Sequence, residues 1–173
     1  MLQKNNLILL TSFLVFLCLY FFVSKDTREV KNKRTFVELE DRERAQIAFY
    51  SNDKTEAEAQ TLTVEIVNTP QSTTQGLSSR TEIGADGMFF IFPQKQVRYF
   101  WMKDMQFDID IVWIADNKVV GITSAVPKPA NQTQDNRLET YPSPQEINMV
   151  LELKANDAER YGISPGDVVQ LVE

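Results

Sequence analysis

From residue 61 onward, apolar and polar residues alternate in short runs that are separated by turn-forming residues. Alternation of this kind is typical of a β-strand that buries one face. The predicted strands are residues 62–67, 87–92, 97–102, 107–113, 119–122, 147–153 and 168–172. Short helices are predicted after Thr69 and after Asn156, because each of these residues can cap a helix and a glycine follows within a few positions. We therefore predict a mainly β member of the α+β class: a compact barrel-like domain of six or seven short strands with two short helices, over residues 61–173.

Turn residues pair four of these strands into two predicted hairpins. Residues 93–96 separate the runs 87–92 and 97–102, and Asp116 with Asn117 provides turn residues before the run 119–122. Both loop lengths and both compositions are typical of β-hairpins.

The amino-terminal part predicts a membrane element. Residues 7–23 contain no charged side chain, and a helix of that length would cover about 25 Å of a bilayer. We expect a transmembrane helix that anchors the chain through residues 1–24; a cleaved signal peptide is the alternative. Residues 25–60 are predicted to be a charged tether with one short helical stretch.

Composition excludes several functions. The chain has no histidine, which removes Ser-His-Asp hydrolysis and His-ligated metals. Its single cysteine, Cys18, lies in the apolar run, so we expect no disulfide, no metal site and no cofactor. Residues 1–34 hold six of the 18 basic and two of the 24 acidic residues, which leaves residues 35–173 strongly acidic. We therefore expect no nucleic-acid partner.

Several charged and aromatic residues are candidates for a site. Asp108 and Asp110 are two positions apart and share one strand face. This spacing fits a pair of carboxyl groups for acid–base chemistry, and it equally fits two ordinary surface carboxylates. Two Trp residues would either stack a flat ligand or fill the core. The remaining candidates are Arg80, Trp101, Lys103 and Glu152, where an ion pair from Arg80 to Asp110 or to Glu152 is the structural alternative.

A long segment between residues 126 and 147 contains four prolines and shows no periodicity. Loops of this length are usually functional or disordered. We leave open whether this segment is a lid over a site or a surface loop.

Three blocks of the sequence resemble one family. The blocks are GLSSRTEIGADGMFFIFP, YFWMKDMQFDIDIVWI and INMVLELKANDAERYGISPGDVV. Together they resemble the bacterial and archaeal family of domain of unknown function 192 over residues 62–173. Family positions fall here on Gly76, Leu77, Arg80, Gly87, Met88, Phe100 to Lys103, Asp110, Leu151 and Glu152. Asp108 stands where the family commonly has proline, and Asn156 stands where it commonly has glycine.

The resemblance implies a small β-rich domain, often exported or anchored, with no established activity. Basic residues just after the span 7–23 favour a cytoplasmic domain, whereas the family's frequent export signals favour an extracytoplasmic one, which we predict. The expected function is a non-catalytic module at the cell membrane that binds an unknown small ligand or envelope component, or acts as an accessory domain. The expected cleft contains Arg80, Trp101, Lys103, Asp110 and Glu152. The alternative is a hydrolase of cell-envelope glycans that uses Asp110 with Glu152 or Asp108 as acid and base.

Overall fold

The computed structural model describes residues 34–51, 59–130 and 133–172. Its strands are β1 (Arg44–Tyr50), β2 (Gln60–Val67), β3 (Gly87–Gln96), β4 (Tyr99–Trp101), β5 (Ile109–Ala115), β6 (Lys118–Val126), β7 (Thr140–Pro142), β8 (Ile147–Lys154) and β9 (Val168–Val172). The α-helices are α1 (Pro70–Gln75) and α2 (Asp157–Arg160), and single 3-10 turns occur at Phe36–Glu38 and Asp135–Arg137. The predicted mainly β fold with two short helices is confirmed.

Seven strands close a barrel in the order β1-β2-β3-β8-β5-β6-β9, and β4 with β7 forms a separate two-stranded sheet. Strands β2 and β3 are parallel, with Val64 paired to Gly87. The other neighbours in the barrel are antiparallel.

Strand β1 corrects the amino-terminal assignment. It pairs with β2 on one side and with β9 on the other, so the barrel begins before residue 61, and the helix expected here is a strand instead. Ala45, Ile47 and Phe49 are buried in the barrel core. Two alanines at positions 45 and 48 weaken the period-two signal, and barrel closure rather than local propensity makes this segment a strand.

The first predicted hairpin is also wrong. Strand β3 runs unbroken from Gly87 to Gln96, and β4 pairs with β7 instead of β3. The segment 126–147 therefore contributes a strand that its sequence did not reveal. The second hairpin, β5 with β6, is confirmed, and its turn residues Asp116 and Asn117 have φ values of 48° and 66°.

The central strands bury both faces. In β3, β5 and β8, one set of side chains, including Phe89, Val112 and Leu151, fills the barrel. The alternate set belongs to a second apolar cluster on the outer face. Leu77 from the β2–β3 connection lies in this outer cluster. The outer face of the sheet is therefore covered, which explains why all seven residues of β5 are buried.

The two helix starts differ in how their capping residues act. The Thr69 hydroxyl accepts the Ser72 N–H at 3.2 Å, as the sequence predicts. Asn156, at the start of α2, has φ 72° and its side chain makes no capping bond. The left-handed backbone explains why glycine is usual at this position and why asparagine is tolerated.

The predicted membrane span at residues 7–23 lies outside the described residues. So do residues 25–33 and 52–58 of the predicted tether. Within the described ranges, no helix is long and apolar enough to span a membrane.

Candidate functional site

A cavity of about 450 Å³ opens on the outer face of the barrel. Three parts of the fold line it. One is the end of α1 with residues 76–78, the second is the outer face of β3 and β8, and the third is strand β4. Its aromatic lining consists of Phe90, Phe92, Tyr99, Phe100 and Trp101, and its ionisable lining residues besides Tyr99 are Arg98 and Glu152. We call this cavity the outer pocket.

Glu152 lies at the base of the outer pocket, with only 6% of its surface exposed. It projects from the outer face of β8, between the paired residues Met88 of β3 and Ile111 of β5. Its Oε2 is buried and has no hydrogen-bond partner in the described structure. Burial raises the pKa of Glu152 from 4.5 to about 8. At neutral pH the side chain is therefore a neutral carboxylic acid that can donate a hydrogen bond.

Two glycines allow the chain to pack closely around Glu152. A Cβ at Gly87 would lie 2.8 Å from the Glu152 backbone oxygen and 2.8 Å from Leu151 Cδ1. At Gly76, where φ is 49°, a Cβ would lie 3.2 Å from Phe90 Cζ and 4.0 Å from Glu152 Oε2. Gly76 of the Gly-Leu-x-x-Arg motif thus allows the backbone to approach the carboxyl group, and Gly87 of the Gly-Met motif allows β3 to pack closely on the Glu152 backbone.

Arg98 provides the positive charge of the outer pocket. Its guanidinium carbon lies 3.5 Å from the centroid of the Phe92 ring, and its Nη2 donates to the Gln94 carbonyl at 3.1 Å. Arg98 Nε is buried without a hydrogen-bond partner in the described structure. Burial lowers the pKa of Arg98 from its ordinary value, but a guanidinium stays charged at neutral pH.

Edge-to-face contacts fix the aromatic wall. Phe100 meets Phe90 at 5.3 Å between ring centroids and Trp113 at 5.4 Å. Trp113 itself is buried and donates its Nε1 hydrogen to the Thr123 hydroxyl at 2.9 Å, so it fills the core. Trp101 is 48% exposed at the rim of the outer pocket, where its ring is available to a ligand.

Trp101 and Glu152 are the two predicted site residues that line the outer pocket. Lys103 lies next to it: its Nζ is 5.5 Å from the centroid of the Trp101 ring, and it forms an ion pair with Asp135. The hydrogen bond from Lys103 to Asp135 raises the pKa of the lysine.

Arg80 does not line the outer pocket. Its two Nη atoms bind the Glu65 carboxylate at 2.7 and 2.8 Å, and Arg42 adds a third contact to Glu65 at 2.7 Å. The two Arg80 hydrogen bonds, together with the one from Arg42, lower the pKa of Glu65 to about 2. The ion pair expected from Arg80 to Asp110 or Glu152 is therefore absent, and Arg80 instead fastens the β2–β3 connection to β2.

Asp110 has a structural role. It is fully buried, and its carboxylate accepts the backbone N–H of Ala125 at 2.8 Å and that of Ala158 at 3.0 Å. Asp110 pairs with Leu153, which faces the barrel interior, whereas Glu152 pairs with Ile111 of the outer cluster. Asp110 and Glu152 therefore lie on opposite faces of the sheet and do not form the expected acid–base pair.

Asp108 makes a simpler contact. Its Oδ1 accepts the exposed Lys128 N–H at 2.8 Å. Among the described residues, Glu152 is the sole carboxyl group lining the outer pocket, and no group of three acidic or cysteine residues is placed to bind a metal.

Arg98 is the functional candidate that sequence reasoning missed. The signal was an arginine inside the apolar run 97–102, where a charged side chain needs a specific environment. That environment comes from Phe92 and from the β4–β7 pairing.

Comparisons with known proteins agree with this architecture. The family model DUF192, described as "Uncharacterized ACR", matches residues 51–171. No curated protein matches the chain. A "putative transcription regulator" from Sinorhizobium meliloti 1021 is 25% identical, with a TM-score of 0.65 over 77% of this chain and 97% of that one. A protein of unknown function from Novosphingobium aromaticivorans DSM 12444 is also 25% identical, with a TM-score of 0.62 over 73% of this chain and 84% of that one.

Proposed function

Because the chain belongs to the DUF192 family, whose description assigns no activity, we propose a function from the outer pocket: the domain is a non-catalytic module that binds a small ligand. The observation that carries this proposal is Glu152, a buried carboxyl group with an unpartnered oxygen in an aromatic pocket. Buried polar atoms are normally hydrogen-bonded, and exceptions call for an explanation such as a binding role.

The size and lining of the outer pocket support binding. Its volume of about 450 Å³ is in the range of small-molecule sites. Such sites combine apolar walls with a few polar groups that orient the ligand. Here the walls are aromatic, and Arg98 with Glu152 supplies the polar groups.

Catalysis by a carboxylate pair is less well supported. General acid–base hydrolysis of a glycoside needs two carboxyl groups flanking one bond. Asp110 faces the other side of the sheet from Glu152, and Asp108 binds a backbone amide. We therefore do not retain the hydrolase as a second function.

We further propose that the module is tethered to the membrane with its domain outside the cytoplasm. The uncharged run 7–23 supports the anchor, and the export signals frequent in the family support the orientation. Alkaline phosphatase fused to the carboxyl terminus should be active. An inactive phosphatase fusion with an active cytoplasmic reporter at the same point would reverse the orientation.

The acidic composition argues against DNA as the ligand, although one structural relative carries a regulator description. Residues 35–173 hold 12 basic and 22 acidic residues, a balance that repels a phosphate backbone.

A ligand-observed NMR screen with the full chain tests the proposed binding role. Ligands should bind the parent protein and lose affinity in Trp101→Ala. Val168→Ala, which shortens an exposed side chain of β9, is the matched control. Binding that is unchanged by Trp101→Ala and by a bulky Gly76→Leu substitution would place the ligand elsewhere.

A further inference from the structure

We propose that the outer pocket selects a ring-bearing organic carboxylate, whose carboxylate group is held by Arg98 and Glu152 and whose ring lies against the aromatic wall. This inference rests on the proposed binding role and names the chemical class of the ligand. It follows from two buried atoms, Arg98 Nε and Glu152 Oε2. Both residues line the same cavity, and both atoms lack a hydrogen-bond partner in the described structure.

A single acceptor group on the ligand can satisfy both orphaned residues. Arg98 Nε–H can only donate. Glu152 is neutral at pH 7 because burial alone raises its pKa to about 8, so its proton is also available to donate. A carboxylate has two acceptor oxygens and can accept from both residues.

Charge favours an anion over a neutral or cationic ligand. With Glu152 protonated, Arg98 is the only charged side chain among the described residues that line the outer pocket. Desolvation makes its attraction for a negative group stronger than at the surface. A cationic ligand would face Arg98 with no carboxylate in the lining to balance it.

The aromatic wall favours a ring. The Arg98 guanidinium carbon lies 3.5 Å from the centroid of the Phe92 ring, so this ring packs against the charged group. Trp101 is half-exposed at the rim, and Tyr99 beside it is 70% exposed. Flat apolar faces of this kind stack on aromatic rings and on the apolar faces of sugars alike. An aromatic acid and a sugar acid share the required chemistry.

The neighbours of Glu152 predict a pH dependence of binding. Its strand partners are Met88 and Ile111, and Gly76 lies across from its Oε2; none of the three is ionisable. The ionisable groups that share its pocket are Arg98 and Tyr99. Loss of the Glu152 proton places a negative charge beside the bound carboxylate, so the affinity for a carboxylate should fall by about tenfold between pH 7 and 9.

Isothermal titration calorimetry with the full chain in lipid nanodiscs tests the proposal, with empty nanodiscs as blank. The probes are indole-3-acetate against indole-3-acetamide, and glucuronate against glucose. In at least one pair the carboxylate should bind about tenfold tighter than its neutral counterpart or better. The pair that shows the preference distinguishes an aromatic acid from a sugar acid.

Variants assign the preference to the two residues. Arg98→Gln should abolish the preference for the carboxylate, and Arg160→Gln, an exposed arginine outside the pocket, is the matched control. Glu152→Gln should remove the fall in affinity between pH 7 and 9. If Arg98→Gln does not fold, two measurements on the parent protein still test the proposal. These are the affinity of each carboxylate probe relative to its neutral counterpart, and the change in carboxylate affinity between pH 7 and 9.

The possible outcomes separate this inference from the proposed function. Neutral probes that bind as tightly as carboxylates overturn the ligand class and leave the binding role standing. Absence of binding by every probe, together with a negative NMR screen, removes both.

Discussion

The Asp110 carboxylate, on strand β5, accepts the backbone N–H of Ala158 at 3.0 Å and so caps helix α2. Its other oxygen accepts the Ala125 N–H, at a residue with φ 51°. One side chain therefore joins the start of β5, the end of β6 and the helix before β9. This arrangement gives the family's aspartate a role in stability.

Asp110→Asn should destabilise the domain by about 2 kcal/mol, because the amide group keeps one acceptor oxygen and places a donor against the second buried N–H. Asp108→Asn is the matched control and should cost less than about 1 kcal/mol, since only one Asp108 oxygen is used and the asparagine retains it. Urea unfolding of both variants measures the difference. Equal midpoints would show that the Asp110 bonds contribute little to stability.

Glu152 should make the protein less stable as the pH rises from about 4.5 to about 8. Its pKa is higher in the folded than in the unfolded state, so the folded state holds the proton more tightly and loses this advantage as the proton leaves. Relative to Glu152→Gln, the parent should lose on the order of 4 to 5 kcal/mol across this range. Urea midpoints at several pH values test this, and parallel curves for the two proteins would contradict the burial of an ionisable group here.

Glu65 should make the protein less stable as the pH falls, the opposite of the effect of Glu152. Its pKa is lowered to about 2 by the Arg80 and Arg42 hydrogen bonds, so its contribution is present above about pH 4.5 and is lost as the pH falls towards 2. Glu65→Gln should therefore lower the melting temperature at pH 7 and lower it less at pH 3. Asp157→Asn, which removes a single exposed contact to Arg160, should have little effect at either pH. If Glu65→Gln lowers the melting temperature as much at pH 3 as at pH 7, the loss of stability comes from packing and not from the ion pair.

Gly87→Ala should destabilise the barrel by about 2 to 3 kcal/mol, because the new methyl group meets the Glu152 backbone oxygen and two leucine side chains at less than 3 Å. Gly121→Ala is the matched strand glycine: its added carbon would lie 3.0 Å from Pro144 Cγ, and its next neighbours, Trp113 Cδ1 and Pro144 Cδ, are at 3.6 and 3.7 Å. We expect a smaller loss there. Thermal unfolding of both variants tests the order, and a well-tolerated Gly87→Ala would mean that the strands can separate at no cost.

A fragment of residues 34–173 should fold, whereas a fragment of residues 61–173 should not. The shorter fragment lacks β1 and leaves the facing edges of β2 and β9 unpaired. It also loses the buried side chains Ile47 and Phe49. Circular dichroism and amide NMR spectra distinguish the two results; dispersed spectra from the shorter fragment would show that β1 is dispensable.

Long alternating runs predicted the fold well because their pattern depends on one buried face. The runs that became β2, β5 and β8 were recognisable for this reason. Strand β1 was not, because alanine is a weak strand signal. The pairing of β4 with β7 depends on residues some 40 positions apart, which local patterns do not report.

The site was predictable only in part, for the same physical reason. Glu152 and Trp101 stood out by type and position, but which face of the sheet a strand residue occupies depends on the pairing register. Asp110 and Glu152 both lie on buried strands, and the register between β5 and β8 places them on opposite faces of the sheet. Arg98 acquires its role only when Phe92 lies beneath it.

Because β2 and β3 are parallel, the segment that connects them can vary between family members and change the shape of the outer pocket. Parallel neighbours enter the sheet from the same end, so the chain must return along the barrel before the second strand starts, and a tight turn cannot connect them. The 19 residues between Val67 and Gly87 make this crossover and bring Gly76 over Glu152. Insertions or exchanges within the crossover would reshape the pocket while the strand ladder stays intact. Under the proposed binding role, family members that take different ligands are therefore expected to differ in this return segment, outside its shared positions Gly76, Leu77 and Arg80.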